Sequence, residues 1–322
     1  MEIKRRSNES AFEWKLRLIK MKLINKFDIE WQEIVDLLQL ECSADHLRKT
    51  AYGILEYDNY LKNNGIATKI LSISDFHVPF HLPKEIFKDY VGQADILQFN
   101  GDLIDMQNIS KFTKSYRLSI MEEIIQGRQY IIELIEYINP KKVIITYGNH
   151  ELRFQNFLNK NIDNDLLELM PQTVLDLIIN DGFNHYDKRQ KTKTWYEPVK
   201  NVFDSVEIDY VGDWKVKIGK TWFAHPKTYS SAMLKTTEKA VNYFLRQDRN
   251  FDSIVLAHTH KMGSFIQGGI YLFEQGCCCK SEEMDYADGL LSLPQQQGFI
   301  FVAQNEDGEL IFDKTKLVRL NY

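Results

Sequence analysis

Five short apolar runs in this 322-residue chain each lead into a residue able to ligate a metal, and this recurrence limits the fold more than any other feature. Ile70-Leu71-Ser72-Ile73 leads into Asp75-Phe76-His77, and Ile96-Leu97-Gln98-Phe99 into Gly101-Asp102. Val143-Ile144-Ile145-Thr146 leads into Gly148-Asn149-His150-Glu151, Thr221-Trp222-Phe223-Ala224 into His225, and Ile254-Val255-Leu256-Ala257 into His258-Thr259-His260. Runs of this length and composition read as buried strands. Helical stretches lie between several of them, over Leu118 to Tyr137 and Leu166 to Ile179, which is an α/β signature. More strand-forming sequence follows at Val206 to Ile218, Ile270 to Phe273 and Phe299 to Ala303. In open α/β sheets function collects at the carboxyl ends of the strands, so the five tips are expected to converge on one edge.

The residue types at those tips suit one kind of chemistry. Hydrolysing a phosphate ester requires neutralised phosphoryl oxygens and a nucleophile made from water, and two cations ~3.5–4 Å apart supply both. One carboxylate must bridge the pair to offset its repulsion, and Asp102, directly after a glycine, is placed for that. Asn149 adds a neutral oxygen, which limits the negative charge of the site. A mixed imidazole, carboxylate and amide shell suits borderline ions, manganese first, with iron, zinc, nickel, cobalt or magnesium as alternatives.

In this order, Asp75-x-His77, Gly101-Asp102-x-x-Asp105, Gly148-Asn149-His150-Glu151, Ala224-His225 and Ala257-His258-Thr259-His260 resemble the calcineurin-like metallophosphoesterase superfamily. The resemblance covers about residues 68 to 280. It implies two packed β-sheets flanked by helices. It also implies one metal on Asp75, His77, Asp102 and His260, and another on Asp102, Asn149, His225 and His258. His150 would be the catalytic histidine beside the scissile phosphate. The last motif usually begins with glycine in this family; Ala257 stands there instead, and its small side chain is expected to leave the site intact.

Residues near the motifs carry paired readings. Arg153 either clamps a phosphate or pairs with Glu151 or another acid. Asp105 either orients a ligand histidine or caps the following helix. His81 lines the substrate cleft or decorates the surface. Glu151 reads as a turn stabiliser, and Cys277-Cys278-Cys279 as buried packing, because a metal cluster needs spaced ligands. Lys111, Lys114 and Arg117, interleaved with Phe112 and Tyr116, either hold a nucleic-acid strand or form a solvated helix face, the second being favoured.

Residues 1–66 follow a different pattern, and the catalytic domain is expected to span 67–322. Phe12, Leu16, Ile19 and Leu23 have helical spacing. A second helix fits Ile29 to Leu38, with Asp28 as N-cap and Ile34, Leu37 and Leu38 as its apolar face. A third starts at Ala44 after the tight connection Glu41-Cys42-Ser43, turns Leu47, Tyr52 (or Ala51), Leu55 and Tyr60 inward, and ends at Asn63-Asn64-Gly65. The stretch Trp31 to Lys49 is similar to short helix-turn-helix segments of bacteriophage-type proteins, with His46, Arg48 and Lys49 on the recognition helix. Residues 1–27 carry eight Lys/Arg against three acids, whereas 28–65 carry three basic and eight acidic residues. Only the first helix therefore favours phosphates. The module either binds DNA or mediates a homodimer.

A net charge of -5 gives no whole-chain attraction to nucleic acid or membrane. No run of ~18 apolar residues and no signal-peptide pattern occurs, and the four cysteines show no disulfide framework, so a cytoplasmic protein is expected. The main expectation is a two-metal phosphodiesterase or nuclease acting on nucleic acid. The alternatives are a phosphomonoesterase or small-nucleotide hydrolase with a dimerising module, and a DNA-binding regulator with an inactive site.

Overall fold

The computed structural model describes residues 3–6, 9–24, 27–62, 65–111, 118–230, 232, 234–280, 283 and 295–320. The chain divides into two compact units, Met1–Ala67 and Thr68–Tyr322.

The first unit is a three-helix module. Helix α1, Ala11–Leu23, starts at a capping box: Ser10 Oγ accepts from the Glu13 amide, and the Glu13 carboxylate accepts from the Ser10 amide. It buries Leu16, Leu18, Ile19 and Met21, while Phe12 stays exposed. Helix α2 covers Trp31–Leu38 and begins after Glu30, so Asp28 is not its cap. The Glu33 carboxylate takes the Glu30 amide instead, and Gln39, with φ 51°, ends the helix. Ile34 and Val35 are buried there, and Leu37 is exposed. Helix α3, Ala44–Lys62, is capped by Ser43, whose Oγ accepts from the His46 amide. Leu47 and Ala51 face the core and Tyr52 is 64% exposed, because the four-residue step continues from Leu47 to Ala51. The Tyr60 side chain and Asn63-Asn64 lie outside the described residues.

The second unit is a sandwich of two sheets. Its strands are β1 Thr68–Ile73, β2 Ile96–Asn100, β3 Lys142–Thr146, β4 Phe183–Asp187, β5 Thr192–Tyr196, β6 Glu207–Tyr210, β7 Lys215–Ile218, β8 Thr221–Ala224, β9 Ser253–Leu256, β10 Met262–Gln267, β11 Ile270–Gln275, β12 Gly298–Gln304 and β13 Lys316–Arg319. Its α-helices are α4 Ile120–Ile138, α5 Leu152–Asn161, α6 Asn164–Leu167 and α7 Lys235–Phe244. One sheet runs β13-β12-β1-β2-β3-β6 and the other β10-β11-β9-β8-β7, while β4 and β5 form a separate hairpin. The strands β1, β2, β3 and β6 are mutually parallel, as are β8, β9 and β11, so their carboxyl ends point one way within each sheet.

Strand alternation builds both layers. Along β1, Ile70 packs between the sheets with Phe223, Val255 and Phe273 of the other sheet, while Leu71 and Ile73 face the helical side. Along β9, Val255 faces the partner sheet, and Ile254 and Leu256 face α7 through Val241 and Phe244. Helix α4 covers the first sheet with Ile124, Ile131, Leu134, Ile135 and Ile138. Toward the strand tips the seam turns polar: Ser72 Oγ, Gln98 Oε1 and Gln275 Oε1 lie within 2.9 Å of their partners there.

Two sequence expectations need correction. Leu166 to Ile179 is not one helix. The short α6 stops before Pro171, which has no amide to donate, and a wide turn over Asp176–Asp181 follows. Val206 to Ile218 splits at Gly212 (φ 65°) into β6 and β7, which belong to different sheets. Residues 112–117, which carry most of the basic–aromatic stretch, lie outside the described residues. Among the described residues, no helix is long and apolar enough to cross a membrane.

Candidate metal centre

The strand tips turn sharply. Asp75, His77, Asp102, His258 and His260 have φ of 53°, 47°, 53°, 73° and 50°. Left-handed backbone at a non-glycine residue costs of order 1–3 kcal/mol and survives only where its surroundings enforce it. Here the tips tie one another down: the amides of Phe76 and His77 both donate to the Asp102 carbonyl, and the Ala257 amide donates to that of Ala224. Two glycines allow the close approach. A Cβ on Gly148 would lie 2.1 Å from Asp102 Oδ1, and one on Gly101 would lie 2.7 Å from the Gly148 nitrogen.

The side chains meet around two buried carboxylates. His260 Nε2 lies 3.1 Å from Asp75 Oδ1 and 3.2 Å from His77 Nε2. His77 Nε2 is 3.8 Å from Asp102 Oδ2. On the other side of Asp102, His225 Nε2 is 3.1 Å from the same Oδ2 and 3.3 Å from Asn149 Oδ1. Asp102 thus belongs both to a group with Asp75 and His77 and to a group with His225 and His258. All seven residues expected at the metals come together.

The outer nitrogens of three imidazoles face oxygen. His225 Nδ1 is 2.8 Å from the Asn100 carbonyl, His260 Nδ1 is 2.8 Å from Gln295 Oε1, and His77 Nδ1 is 3.2 Å from Asp105 Oδ1. Those contacts assign the proton to Nδ1 and turn Nε2 toward the carboxylates. Where such an imidazole is neutral it presents a lone pair to an anionic oxygen, which is repulsive unless positive charge sits between them; where it is charged it donates to that oxygen.

The titration behaviour separates the histidines into two pairs. Burial raises the Asp75 carboxyl, but the imidazoles of His225 and His260 outweigh it and hold it at about 2. Burial also lowers His225, yet Asp102 and Asp75 raise it to about 9. Burial and then His150 lower His77 to about 4, and burial and then His225 lower His258 to about 3. Burial thus favours the neutral form of His77 and His258, while neighbouring anionic groups favour the charged form of His225 and His260. Hard carboxylate and amide oxygens with imidazole nitrogens fit divalent ions of the borderline group.

Supporting residues surround this cluster. Asp105 is buried and reaches both His77 Nδ1 and, at 2.9 Å, His150 Nδ1. It does not cap the following turn, which starts after Met106 with no side-chain cap. Arg153 pairs with an acid other than Glu151: its Nη1 lies 3.5 Å from Asp105 Oδ2. Its Nη1 donates to the Asp105 carbonyl at 2.6 Å, and its Nη2 lies 2.9 Å from His150 Nε2. The fully buried Glu151 accepts from the amides of Gly148 (2.7 Å), Asp102 (3.0 Å), Leu103 (2.7 Å) and Ile104 (3.1 Å), which staples the β2 and β3 tips together. His81 is not surface decoration: its ring lies 4.0 Å from that of Tyr130, and its buried Nδ1 has no hydrogen-bond partner among the described residues. The cysteine run is fully buried.

Two neighbours were not legible in the sequence. Gln295 orients His260, and the Tyr229 ring meets His258 edge-on at 5.2 Å. Neither follows a motif, so no spacing signal marks them. On the helical unit, His46, Arg48 and Lys49 are exposed on α3, with Arg48 and Lys49 both paired to Asp45 at 2.8 and 2.6 Å.

The sequence model of calcineurin-like phosphoesterases matches residues 68–262. Similar solved structures include an archaeal phosphodiesterase, at 15% identity over 78% of this chain and 99% of that one, with a TM-score of 0.37. Vacuolar protein sorting 29 from Cryptosporidium parvum is 15% identical over 80% of this chain and 100% of its own, with a TM-score of 0.37. A metallophosphoesterase from Sphaerobacter thermophilus is 12% identical over 79% of this chain and 89% of its own, with a TM-score of 0.34. No curated protein matches the chain.

Proposed function

The chain belongs to the calcineurin-like phosphoesterase family, metal-dependent enzymes that bind two divalent cations, and from that premise we propose that it hydrolyses phosphodiester bonds in nucleic acid. The observation that carries the reading is Asp102, shared between two groups of side chains able to hold a metal ion.

In this reading Asp75, His77, Asp102 and His260 hold one cation, and Asp102, Asn149, His225 and His258 hold the other, with manganese the first metal to assay. The cations would neutralise the phosphoryl oxygens and lower the pKa of water toward neutrality. Asp105 keeps the rings of His77 and His150 in place through their Nδ1 atoms. Arg153 Nη2 donates to His150 Nε2, and a bound phosphate would take both groups as partners by breaking that contact. Freed from Arg153 and protonated at Nε2, His150 would donate a hydrogen bond or a proton to the leaving oxygen, and Arg153 would steady the developing charge. His81 lines the approach to the site.

Treatment with a chelator should abolish hydrolysis, and manganese should restore it. A panel of single-stranded DNA, duplex DNA, RNA, cyclic nucleotides and phosphomonoesters identifies the substrate. Faster turnover of phosphomonoesters than of every diester would overturn the diester reading.

The nucleic-acid part rests on the three-helix module, and its location would be the cytoplasm. One observation favours the rival, a monoesterase whose module dimerises: Asp45 partly neutralises Arg48 and Lys49 on the face that would meet DNA. The full chain should bind duplex DNA more tightly than a chain starting at Thr68, and that excess should fall steeply with salt. Equal, salt-insensitive binding by both chains would remove the helix-turn-helix role.

A further inference from the structure

We propose that Cys279 is a further ligand to the cation held by Asp75, His77 and His260. This thiolate would raise the affinity of that half of the centre for zinc, ferrous iron or cobalt above its affinity for manganese and magnesium, which would still bind. The proposal rests on the two-cation reading above.

The cysteine run lies along the turn that follows β1. The Cys278 amide donates to the carbonyls of Ser74 (3.1 Å) and Asp75 (3.2 Å), and the Leu82 amide donates to the Cys278 carbonyl. Cys279 forms an antiparallel bridge with His81, and its carbonyl accepts from Gln297 Nε2 at 3.0 Å. The backbone is thus held on both sides. Alternation then sorts the thiols. Cys278 packs into the apolar core with Leu71 and Phe76, while Cys277 and Cys279 share the other face, beside Phe80. On that face Cys279 Sγ and the ring nitrogens of His77 and His260 all lie within 4.8 Å of one another. Cys279 is fully buried, so its sulfur meets these nitrogens away from solvent.

Spacing in sequence hides this arrangement because the three ligands come from three separate segments. Binding breaks the Cys279 S–H bond, forms a sulfur–cation bond and releases the proton to solvent. The charge remains workable. Asp75, Asp102 and Cys279 oppose two divalent cations, which leaves the centre positive toward a phosphodiester anion. Thiolate is the softest donor in the set and favours ions that accept sulfur.

The test loads the full chain with cobalt(II) alone and records its absorption spectrum. Visible ligand-field bands report a loaded site, and an intense near-ultraviolet thiolate-to-cobalt band reports the sulfur. The expected result is both features in the native chain, loss of the near-ultraviolet band in Cys279→Ser with the visible bands kept, and both features in Cys278→Ser. Zinc affinity should fall at least roughly tenfold in Cys279→Ser. Zinc-edge X-ray absorption of the native chain, which needs no variant, should show sulfur bound to zinc. Visible bands without the thiolate band, a band that survives Cys279→Ser, or zinc without bound sulfur would overturn the proposal and leave the two-cation reading standing. Failure of cobalt to bind at all would overturn both.

Discussion

Asp102→Ala is expected to abolish hydrolysis of bis-(p-nitrophenyl) phosphate, a loss of roughly 10³-fold or more with the fold retained. The size follows from position. Asp102 Oδ2 faces His225 Nε2 at 3.1 Å and His77 Nε2 at 3.8 Å, so one carboxylate serves both groups of ligands. Its Oδ1 accepts from the His150 amide at 2.8 Å, which ties His150 to the same residue. Without the carboxylate, two cations would face each other with little to offset their repulsion, and neither would stay. His150→Ala should cost less, about 10²- to 10⁴-fold, because it removes a proton donor and leaves the ligands in place. Metal content separates the two variants: Asp102→Ala should lose bound metal and His150→Ala should retain it. Hydrolysis by Asp102→Ala within tenfold of the native rate would sink the two-cation proposal.

Glu151→Ala is expected to destabilise the second unit by about 4 kcal/mol, because a buried carboxylate that satisfies several partners disappears. Four backbone amides, at Gly148, Asp102, Leu103 and Ile104, lose their acceptor together and have no access to water. For a unit of this size the melting temperature should fall on the order of 10 °C. Burial and the neighbouring Asp102 hold the Glu151 carboxyl above its usual range, against the opposing pull of the amides of Gly148 and Ile104. Glu151→Gln keeps the volume and one carbonyl acceptor but turns an NH₂ group toward backbone donors. It should fall between the native chain and the alanine variant. Calorimetry measures both, and a shift under about 2 °C for Glu151→Ala would show that these amides find other partners.

The two experiments address different layers of the same loop. Asp102 acts on charge, and Glu151 holds the backbone that points Asp102 inward. A variant at Glu151 that keeps its melting temperature but loses activity would show that strand-tip geometry, rather than stability, is what this residue protects.

Much of the site could be read from the chain because each ligand sits at the end of a local pattern. A four-residue apolar run followed by Asp, Asn or His needs no knowledge of distant neighbours, and parallel strands bring such ends to one edge. Glu151 was legible as a turn stabiliser for the same reason. Periodicity served less well where two choices differ by one residue. Ala51 and Tyr52 both follow Leu47 at helical spacing, and only packing against α1 and α2 selects Ala51. Leu166 to Ile179 keeps apolar spacing across Pro171, although the backbone cannot continue as one helix there.

The sequence by itself determined the α/β class, the family and the seven residues at the strand tips. The tertiary structure alone decided which residues attend them: Asp105 between His77 and His150, Arg153 on Asp105 rather than Glu151, Gln295 behind His260, and Cys279 beside both His77 and His260. The physical reason is the range of each constraint. Burial and hydrogen bonding along one strand repeat every two residues and leave a mark in the sequence. A contact between side chains many tens of residues apart depends on strand order and register, which no single segment records.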